Sequence, residues 1–475
     1  MMELAALRLA ALEIFRQALR SVDAGEAVRQ HLRLKGSSLS VVQTTIELEQ
    51  ERPVYSIAIG KAAYAMAAAL DEALGERLTA GVLTGIRPEQ AKDDDSADDS
   101  SGNPASMAEL SSSEPTLQAR WRFFAGGHPL PNRASLEAAR ASLNLLRRAE
   151  EERALVIFLI SGGGSAMFEW PRNERTTLSE LREANRLLVA CGASISEINA
   201  VRRAFSSVKG GSLAQVAPQV DQLTLIISDT TPGDEASVAS GPTLPAPVSA
   251  PDARDTVERY GLAKRLPASI IQAINQEPLK RQAVSARTLR ESYVLLDNGH
   301  AIEAAALAAC AAGFQVETAR DLLDQQVEEG SSELLSRLLG LRRRTGNERR
   351  PVCLISGGEF ACPVRGKGIG GRNAETVLRC AIEMDQLARV QLTGERTRAQ
   401  MLALSAGTDG IDGNSPAAGA LADETTVSRG RALNLDPQQY LNDSDAFNFF
   451  DALGDALLTG PTGTNVRDLR ILLAS

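Results

Sequence analysis

Apolar residues along the chain fall into two alternating patterns. Short, nearly continuous runs have the length of buried strands: "VYSIAIG" (54–60), "AGVLTG" (80–85), "ALVIFLI" (154–160), "LTLIIS" (223–228), "YVLL" (293–296), "VCLIS" (352–356) and "MLALSAG" (401–407). Between them lie Ala- and Leu-rich segments at helical spacing, over 61–74, 133–150, 178–191, 301–312, 331–345 and 375–389. Strands that alternate with helices predict an α/β fold whose sheets are mainly parallel and covered on both faces. The opening "MMELAALRLAALEIFRQALR" carries Glu3, Arg8, Glu13 and Arg16 at helical spacing. That predicts an amphipathic helix rather than a signal peptide, whose centre would be uncharged. No apolar run approaches the roughly 20 residues of a membrane span, so a cytoplasmic protein with no membrane partner is expected.

One segment breaks the pattern. Residues 87–116, "RPEQAKDDDSADDSSGNPASMAELSSSEPT", lack aromatics and are crowded with Asp, Ser and Pro. Such a stretch cannot bury enough surface to offset its ordering entropy, so a disordered insertion is expected. A second irregular stretch, "PTLPAPVSAPDA" (242–253), precedes a domain boundary expected between 250 and 290.

The chain's 475 residues suffice for two or three domains. Lys and Arg number 51 against 60 Asp and Glu, for a net charge of −9, which argues against a nucleic-acid partner. The five cysteines form no CxxC pair and read as reduced thiols, and three histidines leave little for a His-rich metal site. An anionic small molecule remains compatible, provided positive charge is gathered locally.

The candidate chemistry lies where apolar runs end in glycine. "LISGGGSA" empties a strand into Ser161, Gly162, Gly163, Gly164 and Ser165. Consecutive glycines allow backbone N–H groups to turn inward as an anion nest, and a following helix N-terminus would add partial positive charge. A tight, ligand-free turn is the alternative. "AIGKAA" places Lys61 just after a strand at the start of a helix. A cation there works against the helix dipole, which makes sense if it faces an anion; a solvated lysine is the alternative. "NAVRRAFSSVKGG" gathers Arg202, Arg203 and Lys209, either as a local positive field or as a salt-bridged surface helix. "IISDTTPGDEASVASGPT" puts Asp229 and Asp234 after a strand, where carboxylates suit Mg²⁺ shared with phosphate oxygens; turn-forming aspartates are the alternative. "GKGIGGRNAE" (366–375) holds Lys367 and Arg372, and "SAGTDGIDGNSPAAGA" (405–420) presents Asp409 and Asp412. There is no GxxxxGK[ST] motif, and the GKGIGG glycines do not directly follow a strand, so neither a P-loop nor a dinucleotide fingerprint is supported. Clamping cations, carboxylates and glycine nests together suit a Mg²⁺-dependent phosphoryl-transfer enzyme on an α/β scaffold.

The motifs "GKAA", "GGHPLP", "LISGGGSA", "INAVRR…KGGSLA", "SDTTPGDEASVASGPT", "ISGGE", "GGRNAE", "GTDGIDG…AAGA" and "TGPTGTNVRDL" occur in this order. Together they resemble the glycerate 2-kinase family with its carboxy-terminal MOFRL domain, over about residues 10–470. The resemblance implies two α/β domains, a Rossmann-like one over 1–285 and a MOFRL one over 286–475, with the active site in the cleft between them. It implies phosphorylation of the 2-hydroxyl of D-glycerate by ATP with Mg²⁺, giving 2-phospho-D-glycerate. Lys61, Arg372 and Asp409 match the family's catalytic positions. Ser161–Ser165, Asn199, Arg202, Lys209, Gly357, Gly358 and Glu359 are expected to bind substrate or phosphate, and Asp229 and Asp234 the metal. A hydroxypyruvate reductase, a kinase for a related hydroxy acid and a non-catalytic sensor are the competing readings; a homodimer is left open. The chain departs from the family pattern at Ala204, where histidine is usual, at Phe360, where threonine is usual, and at Ala374, where glutamine is usual.

Overall fold

The computed structural model describes residues 3–86, 117–276, 287–345, 350–391 and 400–475. The 87–116 segment, expected to be disordered, lies outside the described residues. The chain begins with α1 (Leu4–Ser21) and α2 (Ala24–His31), followed by the strands β1 (Leu32–Lys35), β2 (Ser38–Val41) and β3 (Thr44–Glu47). Next come β4 (Val54–Ile59), α3 (Ala63–Leu74), β5 (Leu78–Thr84), β6 (Trp121–Phe124), α4 (Arg133–Glu152) and β7 (Leu155–Ser161). There follow α5 (Gly164–Met167), α6 (Leu178–Ala190), α7 (Ile195–Phe205), β8 (Asp221–Ile227), α8 (Ala253–Arg259), α9 (Ala268–Asn275) and β9 (Arg290–Leu296). Beyond these run α10 (Asn298–Ala311), β10 (Gln315–Ala319), α11 (Val327–Arg344), β11 (Val352–Gly358), α12 (Arg372–Gln391), β12 (Met401–Gly407) and β13 (Gly419–Asp423). The last elements are α13 (Thr426–Ala432), α14 (Pro437–Asn442), α15 (Ala446–Leu453), β14 (Ala456–Leu457) and β15 (Asp468–Ala474).

Two compact units result. The described residues of Ala24–Leu296 form the amino-terminal unit; those before Ala24 join Asp297–Ser475 in the carboxy-terminal unit. The division expected at 285/286 is thus displaced in two ways. Strand β9 belongs to the first unit because it pairs in parallel with β8. Helix α1 belongs to the second, because its apolar stripe of Leu7, Ala11, Ile14 and Phe15 shares a core with Ile302 and Ala305 of α10 and with Ile355, Leu404 and Ile471 of the sheet.

The amino-terminal sheet has the order β6-β5-β4-β7-β8-β9 with every pair parallel. Strands β4 and β7 are buried along their whole length, as strands covered on both faces must be. Tyr55, Ile57 and Ile59 point with Val156, Phe158 and Ile160 into one core, against Ala138, Ala139 and Leu146 of α4. The chain grows from β4 outward to β6, then returns to place β7 on the other side of β4. The strand order therefore reverses between β4 and β7, and in open parallel sheets ligands bind outside the carboxyl ends of the strands at such a point. A short antiparallel meander, β1-β2-β3, accompanies this unit.

The carboxy-terminal sheet has the order β10-β11-β15-β12-β13-β14. Here the parallel expectation holds only for β10 with β11; β15 runs antiparallel between β11 and β12. Side chains alternate in direction, so Val352 and Leu354 face α11 and α12 while Cys353 and Ile355 face α1 and α10. All five cysteines are unpaired, as expected. No helix among the described residues is long and apolar enough to cross a membrane.

Candidate active site

At the switch point of the amino-terminal sheet, the turns after β4 and β7 are built into one another. Gly60 has φ +116°, and a methyl group there would lie 2.3 Å from the Ser161 carbonyl oxygen. Only glycine allows that approach. The Lys61 N–H donates to the Gly162 carbonyl (2.9 Å), and the Ala62 N–H donates to Ser161 Oγ (3.0 Å). Gly163, at φ +80°, carries the Lys61 stem across it: a methyl there would sit 2.9 Å from Lys61 Cγ. The structure thus brings Lys61 and the Ser161–Ser165 loop together at the carboxyl ends of adjacent strands.

The individual residues of that loop do different work. Ser161 is fully buried, and its hydroxyl serves the strand ends, accepting from Ala62 and donating to the Ile59 carbonyl (3.3 Å). Ser165 meets Ser240 (Oγ–Oγ 2.7 Å), and Ser240 donates to Asn199 Oδ1 (2.9 Å). Asn199 therefore steadies the loop through Ser240. The expected following helix is only the single turn α5, too short to supply much dipole.

Lys209 corrects the expected positive field. It is buried, with Nζ donating to Glu169 Oε2 (2.5 Å) and to the Phe168 carbonyl (3.1 Å). Burial pulls the Lys209 ammonium below its ordinary pKa, partly offset by Glu169. A buried ammonium so engaged ties the chain after β7 to the end of α7; it does not reach out to a phosphate. Removing one partner of such a pair costs about 3–5 kcal/mol. Arg202, largely desolvated, donates Nε to Asn185 Oδ1 (3.0 Å), and burial lowers its pKa against the pull of Glu169. Asp234 stands before the 3₁₀ turn Glu235–Ser240 and accepts from Ser237 Oγ (2.8 Å); Asp229 lies in the loop after β8. Among the described residues no three His, Cys, Asp or Glu side chains converge as a metal cage. Carboxylate oxygens on this loop still suit a Mg²⁺ held mainly by phosphates and water, which needs one or two protein carboxylates.

The carboxy-terminal unit builds a second cluster where β11 and β12 end. Asp468, the first residue of β15, pairs in register with Gly358 on one side and Gly407 on the other. Its carboxylate holds Arg372 through two bonds, Nε to Oδ2 (2.5 Å) and Nη2 to Oδ1 (3.0 Å). Arg372 Nη2 also pairs with Glu359 Oε1 (2.8 Å). Burial disfavours the charge on both Arg372 and Asp468, yet their mutual attraction outweighs it, raising the arginine and lowering the aspartate. Desolvation pushes the Glu359 carboxyl up against the pull of Arg372. Asp409 belongs to the same cluster: a methyl on Gly407 would lie 3.0 Å from Asp409 Oδ1 and 3.5 Å from Asp468 Oδ1. Asp409 Oδ1 accepts from the Ile411 N–H (3.1 Å), which fixes the turn.

Gly357 and Gly358, expected to bind substrate or phosphate, each have a polar group engaged within the fold. The Gly357 carbonyl accepts from Arg470 and the Gly358 N–H donates to Asn298 Oδ1 (2.9 Å). Those two groups join β11 to β15 and to α10. Asp412 is buried and caps α12 from outside, accepting from the Asn373 (3.0 Å) and Ala374 (2.8 Å) N–H groups. Burial pushes its carboxyl up to about 7, against those two bonds. It joins the Asp409 turn to the helix that starts at Arg372. Asp468 stands in the motif "NVRDL", where a lone aspartate at a strand start says nothing of its partner. Residues 366–371 approach α12 as a loop against Asp443–Phe447, with no strand leading in, which leaves the weak dinucleotide match without its structural context.

Known proteins resemble this chain over nearly its whole length. A family described as a domain of unknown function, DUF4147, matches residues 10–275, and the MOFRL family matches residues 352–468. A D-glycerate 2-kinase from Thermotoga maritima is 33% identical over 94% of this chain and 96% of its own. A putative hydroxypyruvate reductase from Agrobacterium vitis is 34% identical over 74% of this chain and 88% of its own. The crystal structure of a glycerate kinase from Thermotoga maritima superposes with a TM-score of 0.74 at 30% identity, covering 99% of this chain and all of the other (100%). The chain belongs to the glycerate 2-kinase family, in the form that carries a MOFRL segment after the DUF4147 domain.

Proposed function

We propose that the protein transfers the terminal phosphoryl group of ATP to the 2-hydroxyl of D-glycerate, releasing 2-phospho-D-glycerate and ADP. The observation that carries this reading is the full-length similarity to glycerate kinases, supported by Lys61, Arg372 and Asp409, which stand in the sequence motifs that resemble the family.

In this reading Lys61, presented beside the Gly162–Gly164 turn, neutralises charge on the nucleotide phosphates, while the backbone of that turn accommodates their bulk. Arg372 offers a fixed guanidinium to the glycerate carboxylate or to the transferring group. Asp409 orients the 2-hydroxyl and takes its proton as the new P–O bond forms. Mg²⁺ bound to the nucleotide, with Asp229 or Asp234 as its protein ligands, would neutralise the β- and γ-phosphate oxygens. Loose phosphoryl transfer asks little covalent chemistry of the protein, so positioning and charge supply most of the rate.

The test is a coupled assay with Mg·ATP and D-glycerate, in which enolase and pyruvate kinase report without phosphoglycerate mutase. A glycerate-dependent signal is expected, because only the 2-phosphate feeds enolase. ADP release without it assigns the 3-hydroxyl or another acceptor. The reductase reading rests on the name of the Agrobacterium relative. Oxidation of NADH by hydroxypyruvate, with no ADP formed from glycerate, would establish it.

A further inference from the structure

Arg372 occupies an awkward place. It opens the 20-residue helix α12, where a cation opposes the helix dipole, and its side chain is long and part-exposed. Left alone, such a guanidinium would sample many rotamers. Three contacts remove that freedom. Asp412 caps the helix at Asn373 and Ala374, fixing the backbone next to Arg372. Asp468 then grips the side chain along its Nε–Nη2 edge, and Glu359 steadies Nη2.

Asp468 is itself unusually well anchored. It is buried and lies in register between Gly358 of β11 and Gly407 of β12, so both neighbouring strand ends hold it. The preceding residue, Arg467, has φ +72°, a conformation that side chains disfavour. That residue is retained by the Thr408 N–H (3.0 Å) and hydroxyl (2.7 Å), both donating to its carbonyl. The strain is thus held from the strand end that leads into Asp409. Two residues on, Arg470 points the same way along β15 and is engaged with Ser356 Oγ (3.2 Å), the Leu322 carbonyl (3.3 Å) and the Phe360 ring (3.6 Å). Arg470 has its own partners, so the bidentate geometry of Asp468 is directed at Arg372.

We propose that Asp468 is the positioning residue of Arg372: its two bonds occupy the Nε–Nη2 edge, hold the guanidinium plane beside the Asp409 turn and leave Nη1 as the edge these bonds do not take. This inference rests on the part assigned to Arg372 in the proposed reaction. Asp468 touches no substrate and acts only through the arginine.

The experiment is a double-mutant cycle in the coupled assay, with kcat, KM and thermal midpoint measured for wild type, Asp468→Asn, Arg372→Ala and the double variant. Asp468→Asn should lower kcat roughly 10–100-fold, the scale expected for a displaced clamp, with KM for ATP within about twofold. The double variant should be no slower than Arg372→Ala within about twofold, since groups that act as one unit are not additive. Added guanidinium should restore part of the Arg372→Ala rate and none in the double variant. Penalties that multiply, or equal rescue of both, would overturn the clamp alone. Should Asp468→Asn fail to fold, Asp468→Glu keeps the charge beside Arg470 but displaces the guanidinium. It should lose kcat at a near wild-type thermal midpoint, and a wild-type kcat would overturn the clamp. A wild-type kcat in Arg372→Ala is a separate outcome, which removes Arg372 from the reaction and the inference with it.

Discussion

At the scale of single residues, the three departures from the family pattern are packing residues. Phe360 is buried beneath the Arg470 guanidinium, 3.6 Å from its ring centre, and α11 approaches it so closely that a methyl on Gly330 would fall 2.4 Å from its Cζ. Ala374 is buried in the core of α11, α12 and the sheet, with its N–H donating to Asp412. Ala204 packs on the α6–α9 core and its carbonyl accepts from Arg172 Nη1 (3.0 Å). Phe360→Thr should therefore cost stability, on the order of 3 kcal/mol for the lost ring and the cavity under Arg470. KM for D-glycerate should stay within about twofold of wild type. Denaturant unfolding and steady-state kinetics check this together; a shifted KM with unchanged stability would bring position 360 to the acceptor after all. Charge alone does not place Lys209: its partner Glu169 lies forty residues away in sequence, and nothing local announces the pair.

At the scale of elements, the turn chemistry was legible and its consequences separate two glycines. The runs ending in Gly60 and in Ser161-Gly162-Gly163 do form adjacent parallel strands, paired from Val54 with Leu155 to Ile59 with Ile160. At Gly60, an alanine would press its methyl into the Ser161 and Gly162 backbone, with their carbonyl oxygens at 2.3 and 2.7 Å, atoms fixed by the strand end. At Gly163 the nearest atom is a lysine methylene at 2.9 Å, which can swing away. Gly60→Ala should accordingly destabilise the amino-terminal unit by several kcal/mol, while Gly163→Ala should cost only about 1 kcal/mol of backbone strain. Gly163→Ala should nonetheless depress kcat, because it displaces the Lys61 stem. Circular dichroism melts alongside kcat for both variants separate the two effects; equal stability losses would contradict the distinction. What the elements did not announce was strand direction. "DLRILLA" looks like any buried strand, and its antiparallel insertion between β11 and β12 follows from the chain returning at the end of the fold.

For the molecule as a whole, the first helix is part of the carboxy-terminal unit despite its place in the sequence. Its stripe of Leu7, Ala11, Ile14, Phe15 and Ala18 covers α10 and the sheet, and Arg8 pairs with Asp423 and Asp455. Both aspartates are buried, so removing the arginine leaves their charge poorly compensated. A chain starting after residue 23 should expose that apolar face and lose stability in the carboxy-terminal unit first. Hydrogen exchange should show β12, β13 and β15 deprotected relative to β4 and β7; even protection across both sheets would count against this. The sequence by itself determined the α/β class, the glycine turns that end β4 and β7, and the family, and it nominated Lys61, Arg372 and Asp409 as candidates. Those depend on short-range features: apolar runs, glycines that permit positive φ, and motifs in fixed order. Only the tertiary structure decided that Lys209 is spent on Glu169, that Phe360 supports Arg470, that α1 joins residues almost three hundred positions away, and that Asp468 clamps Arg372. Each of those is a pairing across the chain, set by which strands lie side by side and which charges must meet a partner once water is excluded.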